Sequence, residues 1–202
     1  MAGLRTESPC VISPPMRTEQ DQPTAFALNM QAALGAQLIV ARSEREPWSL
    51  VYDVLFGATR VGSVSLADPC AVAKLVSAEG EWRLQKRRRL GWELLIESAQ
   101  GRHVGWYSGR RLLPGGTISL TDGAQIDLRR SITGEWRLAD TETGRRIAEM
   151  RISGPPSTQR IGLTITRLPD RTTEGSVMIL TSCAVRILYR MITSPMTVAG
   201  AP

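Results

Sequence analysis

The segment from 176 to 192 constrains this chain most, because twelve of its seventeen residues are apolar. Helical spacing leaves one thin polar stripe on it, formed by Ser182, Arg186 and Arg190 at intervals of four residues. A helix that is apolar almost all round must be buried in protein or in lipid. The run without charge covers only residues 176–185, whereas a membrane span needs about 20 mostly apolar residues. The sequence therefore favours a helix buried in protein, with its two arginines reaching one end of the enclosure.

The chain before this helix has the pattern of an all-β domain. From residue 48 to residue 167, short runs rich in β-branched and aromatic residues alternate with glycine-bearing turns, about one turn every ten residues. The strongest hairpin signal is the Asp122-Gly123 pair, which has alternating apolar and polar residues on both sides. We therefore predict a meander of antiparallel hairpins that leads into the helix.

Tryptophans mark a repeat within this meander. A spacing of 44 residues separates Trp48 from Trp92, and the same spacing separates Trp92 from Trp136. The sequence Gly-Glu-Trp-Arg-Leu, however, occurs at both 80–84 and 134–138, at a spacing of 54 residues. The repeat therefore has two possible registers. Because indoles are large enough to fill the space between hairpins, we predict that Trp92 and Trp106 face inward.

Length and composition indicate one domain with tails. The chain has 202 residues, of which 42% are hydrophobic, and this is enough to bury one sizeable core. Residues 1–24 contain four prolines among polar residues and are predicted to form a disordered tail. Residues 25–193 are predicted to form the domain, in which 25–40 is a short helix or a helix running into a strand. Residues 194–202 form a short C-terminal tail.

The order of these motifs is similar to that in the tubby-like C-terminal superfamily, which includes phospholipid scramblases and LURP-one-related proteins. The resemblance is carried by four segments, in the order 92–101, 116–123, 136–144 and 176–192. It implies a mainly β fold, an antiparallel β-barrel of about twelve strands that encloses the C-terminal hydrophobic α-helix. Physical reasoning agrees, because a closed barrel exposes no strand edges and an interior helix gives its inward side chains an apolar surface. The first hairpin, 48–64, departs from the pattern because it lacks an acidic turn residue.

Basic residues are concentrated between Trp82 and Arg111. This segment has eight basic and two acidic residues, and the excess of +6 equals the formal net charge of the whole chain. The resemblance implies a basic surface that meets anionic lipid headgroups. Nucleic acid is a less favoured anion, because the nearby tryptophans are expected to face inward and not to stack on bases. A solvated hairpin tip that keeps the protein soluble is a further interpretation. The candidate anion-binding residues are Lys86, Arg87, Arg88, Arg89, Arg110 and Arg111.

No set of residues has the pattern of a catalytic or metal site. The only histidine, His103, is predicted to face solvent after a turn, and the usual nucleophile motifs are missing. Zinc would need clustered Cys and His residues. The side chains of 140–144 match an ordinary hairpin turn better than a calcium site, which takes six to eight oxygens. We therefore predict a non-enzymatic protein without catalytic residues, cofactor or metal.

Cysteine use and the N-terminal sequence point to the cell interior. Three widely spaced cysteines do not suit a disulfide framework, and residues 1–22 lack the apolar core of a secretory signal. We expect a cytoplasmic barrel protein, peripheral at the inner membrane surface, that binds anionic phospholipid or acts as a scaffold. The alternatives are a tail-anchored membrane protein, an enzyme or lipid carrier that uses the barrel interior, and a nucleic-acid-binding protein that uses residues 82–111.

Overall fold

The computed structural model describes most of the predicted domain. The described residues are 34–43, 50–66, 72–87, 92–110, 114–154, 160–168 and 175–193. The predicted tails at 1–24 and 194–202 lie outside them, and so does Trp48.

The described chain contains twelve strands and one helix. The strands are β1 (Gln37–Arg42), β2 (Val51–Phe56), β3 (Thr59–Ser65), β4 (Ala73–Ser77), β5 (Gly80–Lys86), β6 (Glu93–Ser98), β7 (His103–Gly109), β8 (Gly115–Leu120), β9 (Gln125–Arg130), β10 (Trp136–Asp140), β11 (Arg146–Ser153) and β12 (Arg160–Ile165). The helix is α1 (Gly175–Thr193).

All twelve strands belong to one closed antiparallel barrel, in which each strand pairs with its neighbours in sequence. Closure joins the first strand to the last, with Leu38 opposite Leu163 and Val40 opposite Ile161. Each described strand therefore has a hydrogen-bonded partner on both sides, and closure leaves no strand edge open among them. The predicted barrel of about twelve strands is confirmed.

The first strand overlaps the segment 25–40, for which the sequence suggested a helix or a helix running into a strand. From Gln37 onward the chain is extended, because it pairs with β12 on one side and β2 on the other. A turn precedes it, in which Gly35 has a φ of 77° and donates its N–H to the carbonyl oxygen of Ile165. A helix that extends to residue 40 is therefore wrong, a strand at the end of the segment is confirmed, and residues 25–33 lie outside the described chain.

The Asp122-Gly123 pair forms the hairpin turn between β8 and β9, as predicted. Gly123 has a φ of 92°, a conformation that side-chain-bearing residues rarely adopt. Asp122 Oδ1 accepts a hydrogen bond of 3.0 Å from the backbone N–H of Ala124. The side chain thus holds the turn while glycine supplies the backbone geometry.

Helix α1 lies inside the barrel, which confirms the predicted burial in protein for residues 176–187, whereas 188–190 are half-buried and Met191 is exposed. Its side chains are buried from Ser176 to Ile187 and belong to the same core as inward strand residues such as Ile96 and Leu138. Ser182 satisfies its hydroxyl locally by donating to the carbonyl oxygen of Met178 at 2.8 Å. The apolar surface of the helix therefore has the inner wall of the barrel as its partner.

The described segments contain no helix with the combined length and hydropathy of a membrane span.

The tryptophans do not all face the core. Trp136 is 1% exposed and Trp82 is 5% exposed, so both are core residues. Trp92 is half-buried, but Trp106 is 37% exposed on the outer wall, and the inward prediction for Trp106 is wrong. Neighbouring residues on a strand face opposite sides. The inward position on β7 belongs to Tyr107, whose hydroxyl donates to the carbonyl oxygen of Gly115 at 2.9 Å.

Candidate functional site

The direction of helix α1 follows from the number of strands. In an antiparallel meander the C-termini of all odd-numbered strands lie at one opening of the barrel. The C-terminus of β12, an even-numbered strand, lies at the opposite opening. The helix begins near that opposite end, where the backbone N–H of Ser176 donates to Glu79 Oε2, at 3.3 Å, in the turn between β4 and β5. It then runs back through the barrel. Its C-terminal turn therefore emerges where β5, β7 and β9 end.

Basic residues from distant parts of the sequence lie at the opening where the helix leaves the barrel. Strand β5 ends at Lys86 and is followed by Arg87, β9 ends at Arg130, and the last turns of the helix carry Arg186 and Arg190. We call this the basic end of the barrel and define it by Lys86, Arg87, Arg130, Arg186 and Arg190. The other end of the barrel carries the turns that join each even-numbered strand to the next odd-numbered strand, and we call it the far end.

Two of these side chains lie on the inner side of the barrel rim. Directly opposed residues of an antiparallel pair share one face of the sheet. Lys86 opposes the buried Leu94, and Arg130 opposes the buried Trp136. Both cations therefore belong to the inward-facing rows of their strands, but both are exposed because the strands end there. They stand at the mouth from which the helix emerges.

Arg186 lies deeper at the same mouth and is 7% exposed. Its guanidinium carbon is 5.4 Å from the centroid of the Trp136 ring, which is within the range of a cation–π contact. Tyr189 packs edge-on against the same ring, with centroids 5.3 Å apart. Burial, followed by the charges of Arg130 and Arg190, lowers the pKa of Arg186 from its usual value to about 10. The guanidinium is still charged at neutral pH, but the fold holds this charge at a free-energy cost.

The structure separates Arg110 from Lys86, although the sequence placed them in one cluster. Arg110 follows β7 at the same end of the barrel, but its Nη2 lies 3.0 Å from Asp127 Oδ1 on the outer wall. Arg129 binds the same carboxylate through Nε at 2.5 Å. Asp127 thus offsets much of the charge of this part of the wall. The other candidates, Arg88, Arg89 and Arg111, lie outside the described residues.

One acidic residue near the basic end, Glu135, is engaged with outward arginines. Glu135 precedes β10 and lies within 3.3 Å of Arg137 Nη2 and within 3.0 Å of Arg151 Nε. At the far end, positive and negative residues alternate in the turns, for example Asp140, Glu142 and Arg145. Within the described barrel, basic residues therefore outnumber acidic residues more clearly at the basic end than at the far end.

Sequence reasoning missed Arg130, because it lies outside the basic segment 82–111. It also treated Arg186 and Arg190 only as polar ends of a buried helix. The number of predicted strands could have placed these arginines at the basic end. An even number of antiparallel strands before the helix sends the C-terminus of the helix to the end where β5 finishes.

Two grooves lie on the outer wall. One of about 420 Å³ runs over β9 and β10 and is lined by Arg129, Arg130, Arg137 and two carboxylates, Asp127 and Asp140. The other, of about 380 Å³, lies over β11 and β12 at Gly162, beside Gln37, Glu149 and Arg151. In both grooves arginines face carboxylates of the same chain, so each groove has a smaller excess of positive charge than the basic end.

The residues considered for catalysis or metal binding have local structural contacts. His103 is exposed, stacks on Trp106 with ring centroids 6.0 Å apart, and has Nε2 3.1 Å from the carbonyl oxygen of Gly105. Asp140 Oδ1 accepts from the Thr143 backbone N–H at 2.7 Å, and this hydrogen bond lowers the pKa of the carboxyl group. Within the described residues, no group of three or more His, Cys, Asp or Glu side chains is placed to hold a metal ion.

No protein-family model, curated protein or solved structure matches this chain.

Proposed function

We propose that the protein is a non-enzymatic, tubby-like barrel that binds anionic phospholipid at the inner membrane surface through its basic end. The proposal has two supports. One is the order of the sequence motifs, which resembles that of the tubby-like superfamily, and the other is the closed barrel with its central helix. The observation that carries it is the convergence of Lys86, Arg87 and Arg130 with the two helix arginines at one mouth of the barrel. A flat anionic surface can meet the exposed and half-exposed cations of this end at once.

The magnitude of the attraction is adequate for reversible binding. Each Lys or Arg near an anionic membrane surface contributes about 1 kcal/mol. The four exposed or half-exposed cations of the basic end, Lys86, Arg87, Arg130 and Arg190, would together contribute about 4 kcal/mol. This is peripheral binding that salt weakens, because exposed charges are screened over about 10 Å at 0.1 M ionic strength.

An exposed apolar side chain at the same end supports this orientation. Ile132 lies in the turn between β9 and β10, two residues after Arg130, and its side chain is fully exposed, at 108% of the reference area. Exposed isoleucine next to arginine suits the boundary between headgroups and acyl chains, where apolar groups enter and cations stay with the phosphates. Ile132 would therefore add an apolar contact that salt does not screen.

The alternative functions, an interior enzyme or carrier, a tail anchor and a nucleic-acid-binding protein, each require a different feature of the barrel. An enzyme or carrier that uses the barrel interior needs space there, but side chains of helix α1 fill the core. A tail anchor requires the same helix to leave the barrel and expose residues such as Leu180 and Val185, which are buried. Nucleic-acid binding by stacking needs exposed aromatic rings, and of the tryptophans in the basic segment Trp82 is in the core, Trp92 is half-buried and Trp106 is exposed.

Vesicle sedimentation tests the proposal. We expect the protein to pellet at low salt with vesicles of phosphatidylcholine and phosphatidylglycerol, and to stay in the supernatant with phosphatidylcholine alone. Raising the salt concentration should release most but not all of it, because only the ionic part is screened. Equal pelleting with both vesicle types, or none with either, would rule out anionic-lipid binding.

A further inference from the structure

Arg186 is a buried cation that lacks an acidic partner within the described chain. Only 7% of its surface is exposed, and the charged or polar groups that act on its pKa are Arg130, Arg190 and Tyr189, with no carboxylate among them. Its described contact is with the face of the Trp136 ring at 5.4 Å. Buried charges in proteins are normally paired and hydrogen-bonded, because desolvation otherwise costs several kcal/mol. The guanidinium therefore has unused capacity for an anion.

The surroundings of Arg186 add positive charge and one further donor. Arg130 lies in the register position opposite Trp136, on the same face of the sheet, and Arg190 follows one helical turn after Arg186. The Nε1–H of Trp136 is buried and has no acceptor among the described residues. A cation cluster and an unpaired N–H donor at one mouth of the barrel are the elements of an anion site.

We propose that Arg186, with Trp136, Arg130 and Arg190, forms a site for a phosphate monoester group. A guanidinium has a planar array of N–H donors that matches the oxygens of a phosphate, and it can donate two hydrogen bonds in parallel. A monoester carries nearly two negative charges at neutral pH, whereas a diester carries one, so it offsets more of the charge of three arginines. The group can come from a lipid with a terminal phosphate or from a soluble phosphate ester.

This inference rests on the proposed function, because it places the site at the end that faces the membrane. It also adds to that function a preference that surface charge alone does not give. A general basic surface distinguishes membranes by charge density. A buried guanidinium site distinguishes the terminal phosphate of phosphatidic acid from the bridging phosphate of phosphatidylglycerol.

The first arm of the test uses inorganic phosphate and the full-length protein. Calorimetric titration, with chloride at the same ionic strength as the reference, measures the affinity of the wild type and of the variants Arg186→Met and Arg186→Lys. Loss of hydrogen bonds to a charged group costs about 1.5–3 kcal/mol, so we expect the affinity for phosphate to fall roughly 10-fold to 100-fold in Arg186→Met. Arg186→Lys should bind with intermediate affinity, because it keeps the charge but loses the planar fork.

The second arm compares vesicles of phosphatidic acid with vesicles of phosphatidylglycerol at matched surface potential. We expect the wild type to prefer phosphatidic acid, and Arg186→Met to lose this preference while it still binds both vesicles. Phosphate binding that depends on Arg186 without a lipid preference would also support the site, with a soluble ester as the source. Phosphate affinity that is unchanged in Arg186→Met, or absent in the wild type, would overturn the inference.

Two features keep the test interpretable. Replacing a buried charge with an apolar residue of similar size is often neutral or stabilising, so we expect Arg186→Met to fold. If it does not, Trp136→Phe keeps an aromatic ring at this core position and removes the Nε1–H donor, and it should lower the affinity for phosphate. If the proposed function is wrong, the wild-type protein is retained neither by phosphatidic acid vesicles nor by phosphatidylglycerol vesicles. If only this inference is wrong, the wild-type protein is retained equally by both.

Discussion

Replacing Lys86, Arg87, Arg130 and Arg190 with alanine is expected to reduce binding to phosphatidylglycerol vesicles by about three orders of magnitude. Four cations at about 1 kcal/mol each contribute about 4 kcal/mol, and each tenfold change corresponds to about 1.4 kcal/mol. Folding should persist, because these side chains lie at the rim or on the emerging helix and are outside the buried core. Vesicle sedimentation over a range of lipid concentrations measures the partition coefficient, and circular dichroism checks the fold.

A matched variant at the far end separates location from net charge. It replaces four arginines that lie in or beside the far-end turns, namely Arg102, Arg145, Arg146 and Arg167. This variant loses the same four positive charges, but it should keep most of the vesicle affinity, because its basic end is intact. Equal loss in the two variants would mean that total charge, and not the basic end, governs binding.

Leu180→Asp is expected to prevent the barrel from folding stably. Leu180 is 0% exposed on the helix inside the barrel, so the new carboxylate would be buried without a cation designed to meet it. An isolated buried charge costs several kcal/mol, and truncation of a buried leucine alone costs about 2–5 kcal/mol. The sum approaches the total stability of about 5–15 kcal/mol that is typical of a domain. Urea unfolding followed by tryptophan fluorescence measures the loss.

The control for this variant lies on the same helix. Met191 is 41% exposed where the helix leaves the barrel, so Met191→Asp should change the free energy of unfolding by less than about 1 kcal/mol. Leu180→Ala should fall between the two, at about 2–5 kcal/mol. If Leu180→Asp is as stable as Met191→Asp, the helix does not occupy the barrel interior.

The fold could be predicted from the sequence because its determinants are local. Glycine-bearing turns such as Asp122-Gly123 fix hairpins, and a helix that is apolar on all sides requires an enclosure. The faces of some strands could not be predicted, because a register change of one residue exchanges inside and outside. Trp106 is an example, since the Trp spacing allowed two registers and the structure gives the inward position to Tyr107.

The site was only partly predictable, because its members come from three separate elements, β5, β9 and α1. Lys86 and Arg87 stand out in a basic run, whereas Arg130 and Arg190 join them only through the topology of the closed barrel. The partner of Arg110 could not be predicted either. Asp127 is 17 residues away in sequence, and only the pairing of β7, β8 and β9 brings the two side chains together.

The most direct test of the account is to find which end of the barrel meets the membrane. In a Cys10→Ser/Cys70→Ser background, where Cys183 is buried, Ile132→Cys places a label at the basic end and Gln100→Cys places one at the far end. An environment-sensitive fluorophore on each cysteine is then measured while phosphatidylglycerol vesicles are added. The account predicts a blue shift at residue 132 and none at residue 100. A shift at residue 100 alone, or at neither position when the protein is bound, would contradict it.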